Sequence, residues 1–86
     1  MNFLNYEVST GPNSMIEVVL SGTAANVLVM DEANFQSFRS GSNHRHYGGY
    51  YTQSPIFIKA PPGRWHVVVH LGGAAGRVSA TVTVRG

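Results

Sequence analysis

The feature that most constrains this chain is the run Arg64-Trp65-His66-Val67-Val68-Val69-His70-Leu71. It is the longest stretch of strand-forming residues. Pro61, Pro62 and Gly63 bound it on one side, Gly72 and Gly73 on the other. At a period of two, Trp65, Val67, Val69 and Leu71 share one face, and His66, Val68 and His70 share the other. The first face is wholly apolar and holds the only tryptophan, so it is expected in the core. The second is expected on the outside of its sheet, facing water or covered by a loop.

Other segments repeat this pattern. Residues 2–8 alternate Leu4, Tyr6 and Val8 against Phe3, Asn5 and Glu7. In residues 15–21, Glu17 and Ser21 require water, which turns Ile16, Val18 and Leu20 inward. Residues 26–30 form a short apolar strand with cover expected on both faces. Residues 55–59 give a strand that Pro55 can open, and residues 77–85 alternate most cleanly, with Val78, Ala80, Val82 and Val84 inward. Residues 10–14, 22–23 and 72–76 read as turns or connections. One helix is expected over 31–39: Asp31 caps it, Glu32 and Arg39 suit its two ends, and Gly41 stops it. Phe35 and Phe38 share a face of that helix and are expected to plug one end of the core. The expected fold is all-β: a single small β-sandwich over residues 1–86, jelly-roll-like or a flattened barrel, of about seven antiparallel strands with at most one short helix. Its core should include Ile16, Val18, Leu20, Val27, Val29, Trp65, Val67, Val69, Val78, Val82 and Val84.

Charged residues make up 12% of the chain, against a usual value of about 25%. The resulting neutral surface leaves self-association or a protein partner open. A net charge of +2 is too small an excess to make a nucleic-acid surface. The absence of cysteine excludes disulfides, thiol nucleophiles and thiolate metal sites. Residues 1–7 lack the basic and apolar parts of a signal peptide, and no stretch nears the roughly 20 apolar residues of a membrane span. A cytoplasmic protein without a membrane partner is expected.

The segment 39–51 is the richest in functional groups. Arg39, His44, Arg45, His46, Tyr47, Tyr50 and Tyr51 lie within it. Read as a loop, it is the expected binding site for a protein partner or a small polar or anionic ligand, because such sets stack rings and hydrogen-bond anions. The competing account has the tyrosines cap the sandwich and the arginines face water. His44 and His46, about 6–7 Å apart if on a strand, can share a metal ion only if a third ligand joins them. Cupin metal sites also begin His-x-His, but they add a glutamate soon after. Here Tyr47-Gly48-Gly49-Tyr50-Tyr51 follows, and every acid precedes residue 33. No metal or other cofactor is therefore expected. His66 and His70 lie about 13 Å apart and cannot share an ion, though either can meet His44 or His46 across a neighbouring strand. The glycine-rich stretches lack the lysine and following helix of a phosphate-binding loop, no serine sits in a nucleophile elbow, and the four acids are scattered. A non-enzymatic role is expected.

Several blocks carry a resemblance: Val19-Leu20-Ser21-Gly22-Thr23-Ala24-Ala25-Asn26-Val27, His44-Arg45-His46-Tyr47-Gly48-Gly49 and Trp65-His66-Val67-Val68-Val69, with Asn2-Phe3-Leu4 and Asn34-Phe35. Over nearly its full length the chain resembles a family of short bacterial domains of unknown function, which stand alone or are fused to TIR signalling domains. More distantly, its strand order resembles non-catalytic domains found beside secreted peptidases. The family resemblance implies a small β-sandwich that senses or assembles, and it carries no catalytic residues over. The leading expectation is a non-catalytic recognition or sensor/adaptor module that binds through residues 39–51. The alternatives are a self-assembling structural subunit that pairs through its edge strands and a His-based metal-binding domain.

Overall fold

The computed structural model describes residues 3–73 and 75–86. Asn2, expected at the head of the first strand, and Ala74, within the expected 72–76 connection, lie outside the described residues. The order is β1 (Leu4–Thr10), β2 (Met15–Gly22), β3 (Ala25–Met30), α1 (Glu32–Arg39), β4 (Tyr47–Tyr51), β5 (Ile56–Ile58), β6 (Gly63–His70) and β7 (Val78–Arg85). Two antiparallel sheets result, ordered β1-β6-β3-β4 and β5-β2-β7.

Register follows from the alternation. Val27 pairs with Val69 and Val29 with Val67, while Ile16 pairs with Val84 and Val18 with Val82. These rows meet between the sheets, where Ile16, Val18, Val27, Val29, Val67 and Val69 are buried with Ile56 and Ile58. Leu20, Trp65, Val78 and Val82 pack half-buried against them, and Val84 is half-buried beside Ile16. The sandwich and its expected core are thus present. On β7 the outward residues Ser79, Thr81, Thr83 and Arg85 are exposed, as the pattern requires. The Tyr6 hydroxyl crosses the layers and donates to the Ala80 carbonyl at 3.1 Å.

The helix corrects two expectations. Asp31 caps it, accepting from the Asn34 N–H at 2.9 Å, and the chain turns out at Gly41 with φ +79. Phe35 and Phe38 do not plug the end of the sandwich. They lie on the outer face of the four-stranded sheet and form a second core with Leu28, Met30 and Val68. The outer face of β6 is therefore covered by a helix, neither bare nor under a loop. The reason is local: the outer faces of β3 and β6 still hold an apolar patch, Leu28, Met30 and Val68, that a two-aromatic helix face matches. A third correction concerns residues 39–51. Only 40–46 are irregular, because Tyr47–Tyr51 pairs along β3 as an edge strand.

Candidate functional site

The residues of segment 39–51 part company once folded. The Arg39 guanidinium lies 5.8 Å from the centre of the Phe35 ring. His44 sits edge-on to Phe38 at 5.3 Å. Tyr51 turns toward the inner core, and Tyr50, 64% exposed, stands on the opposite face of β4. The remaining three converge. Arg45, His46 and Tyr47 line a cleft of about 440 Å³ with Asp31, Asn34 and Trp65. The Arg45 N–H donates to Asn34 Oδ1 at 2.8 Å, which ties the segment to α1. Tyr47 meets Trp65 edge-to-face at 5.6 Å. The indole is itself fixed, donating to the Pro61 carbonyl at 2.8 Å and to Thr10 Oγ1 at 3.2 Å. A larger opening of about 760 Å³ lies at the other end of β6, against Phe3, Leu4 and Val78.

Two histidines, His44 and His70, pack on Phe38, and His46 meets His44. His70 tilts over the Phe38 ring at 5.5 Å and accepts from the Gly72 N–H at 3.0 Å, while His44 and His46 bring their Nδ1 atoms within 3.3 Å. No third metal-ligating group completes the His44–His46 pair among the described residues. Burial, and then the adjacent His44, holds the His46 imidazole below its ordinary value. For His70 burial again leads, followed by His44 and His46. The unfolded chain thus takes up these protons first as pH falls. Their contribution to stability is complete above about 6.5 and declines below it. Asp31 and Glu32 add a second loss at lower pH. Asp31 is held below 3.8, chiefly by the Asn34 N–H, and Glu32 below 4.5, by Gln36 and then His66. Urea midpoints are expected to fall between about pH 7.5 and about pH 5.5, and a flat profile over that window would contradict the packing of His46 and His70.

A different cluster joins three elements. His66, 7% exposed, stacks on Phe35 with ring centres 4.0 Å apart and planes 10° apart. Its Nε2 lies 2.7 Å from Glu32 Oε1, and its Nδ1 lies 3.2 Å from Asn5 Oδ1. Glu7, which pairs with His66 across β1 and β6, completes a set whose ligand atoms all fall within 4.8 Å of one another. The sequence reading missed this group. Its only signal was the outward alternation of Asn5 and Glu7, and nothing local tied that face to Glu32.

Neither the curated proteins nor the solved structures contain a match to the chain. A family model does match, over residues 1–85, and by it the chain belongs to the family described as a domain of unknown function (DUF1883).

Proposed function

We propose that the domain is a non-catalytic recognition module that binds a small polar or anionic ligand, or a side chain of a protein partner, in the cleft walled by Arg45, His46, Tyr47 and Trp65. One observation carries this reading. Three neighbouring residues with donors or aromatic rings face a fixed indole across a cleft whose size, about 440 Å³, suits a small ligand. Arg45 offers a planar set of donors, and Tyr47 and Trp65 offer ring faces and edges. A cytoplasmic sensor or adaptor role agrees with the resemblance to bacterial domains that stand alone or join TIR signalling domains. Among the described residues no helix is long and apolar enough to cross a membrane.

Trp65, the only tryptophan, reports on the cleft directly. Titration with inorganic phosphate, nucleotides and sugar phosphates is expected to give a saturable change in emission with one class. The Arg45→Ala/Tyr47→Ala variant should lose at least about tenfold in affinity, the scale of one or two charge-assisted hydrogen bonds, while keeping its fold. Unchanged affinity in that variant would sink the reading.

A second reading is self-assembly through β4. This strand ends its sheet, carries neither charge nor proline, and exposes Tyr47 and Tyr50. A chain that stays monomeric in light scattering at high concentration would end it.

A further inference from the structure

We propose that Glu7, Glu32 and His66 form a binding site for one divalent first-row metal ion, zinc or manganese, that ties α1 to β1 and β6. Its three ligands line none of the recognition cleft, although Trp65 borders both openings, and the proposal does not depend on that cleft's function.

Three features carry the assignment. First, the donors come from three elements far apart in sequence, yet their ligand atoms fall within 4.8 Å. An ion at about 2.0–2.2 Å from each donor holds tetrahedral ligands about 3.3–3.6 Å apart. Seating the ion needs the Glu32–His66 contact, now 2.7 Å, to open by under about an ångström and any wider gap in the set to close by about an ångström, both within reach of two exposed glutamates beside a fixed imidazole. Second, the fixed ligand is held as metal-bound histidines usually are. Asn5 Oδ1 stands at hydrogen-bond distance from Nδ1, which orients Nε2 toward the carboxylates, and Phe35 clamps the ring plane. Glu32 is oriented as well: its Oε2 accepts from Gln36 and its Oε1 lies against His66 Nε2, a contact the ion would replace. Third, the Glu7 carboxylate has no hydrogen-bond or ion-pair partner among the described residues, although it faces a second carboxylate. A cation between them relieves that repulsion. Arg64 lines the same cleft of about 280 Å³ and is the side chain an arriving ion must share it with.

The donor set selects the class of ion. One imidazole nitrogen and two carboxylates suit zinc or manganese, whereas calcium and magnesium favour all-oxygen shells. Waters would fill the remaining positions, so the ion would be reachable from solvent.

Calorimetric titration of the untagged full chain with Zn²⁺ alone, and then with Mn²⁺ alone, tests the site. His66→Gln is a poor first variant, since the ring is buried in the second core. Glu7→Gln removes a ligand whose carboxylate makes no hydrogen bond or ion pair among the described residues, and should not lower the metal-free melting temperature. Wild type is expected to take up one equivalent of at least one of the two ions, and Glu7→Gln to bind it at least tenfold more weakly. His44→Ala/His46→Ala should bind like wild type. Bound ion should also raise the melting temperature of wild type, and that of Glu7→Gln by less at the same ion concentration. Absence of stoichiometric uptake of either ion overturns the proposal. So does Glu7→Gln binding as tightly as wild type, or loss of uptake in the His44→Ala/His46→Ala variant.

Discussion

Phe35→Ala is expected to lower the unfolding free energy by about 3–5 kcal/mol, the range for deleting a buried aromatic ring. Phe35 is 5% exposed and does three things at once. It covers Leu28 and Val68 on the outer face of the sheet, stacks on His66, and meets Phe3 edge-to-face at 6.0 Å. No other residue of α1 can replace it, because Phe38, the only other buried residue of the helix, sits one turn on and packs against Phe3, His44 and His70. A domain of this size typically loses about 4–8 °C of melting temperature per kcal/mol. The variant should therefore melt at least about 12 °C below wild type. Phe35→Leu keeps most of the apolar volume and should recover over half of the loss. If Phe35→Ala cost under about 1 kcal/mol in urea denaturation, the helix would not be what seals the outer face.

The layers of this fold were legible because most of its strands alternate on their own. Val78 to Val84 state their inward face without help from any partner, and so do Ile16 to Leu20. The capping of α1 was legible for the same reason, since Asp31, Glu32 and Gly41 act within one or two turns of chain. Where the helix docks was not. Its two phenylalanines state only that one face is apolar, and the patch they cover arises when Leu28 on β3 pairs with Val68 on β6, 40 residues on in the numbering. β4 was hidden by composition. Gly48 and Gly49 depress strand propensity, and the strand forms because the edge of β3 pairs it.

The candidate sites divide along the same line. Arg45, His46 and Tyr47 were visible because they are consecutive, and their cleft gains Trp65 only after β6 and β3 have paired. Glu7, Glu32 and His66 contain half of the chain's four acids, yet these read as scattered along the sequence. Their meeting needs two long-range events, the β1–β6 register that sets Glu7 beside His66 and the docking of α1 that brings Glu32 over it.

Gly48→Ala is expected to cost about 2–4 kcal/mol, although it adds one methyl group to an exposed edge strand. Gly48 has φ +98, and a Cβ there would lie 2.2 Å from the Val27 carbonyl oxygen and 3.3 Å from its carbon. Those atoms belong to a strand paired on both sides, so no side-chain rotation relieves the overlap. β4 must then lift from β3. Gly49 supplies the control, since its φ is ordinary and no heavy atom lies within 4 Å of the added carbon. Gly49→Ala should stay within about 0.5 kcal/mol of wild type. Lifting β4 also removes Tyr47 from Trp65, so native-state Trp65 emission should shift to the red in Gly48→Ala and hold in Gly49→Ala. Equal stability of the two variants would contradict the close approach at Gly48. A loss of stability without a change in emission would mean that the cleft wall survives the departure of its strand. The pair also bears on self-assembly: if β4 is the pairing edge, Gly48→Ala should dissociate oligomers at concentrations where Gly49→Ala keeps them.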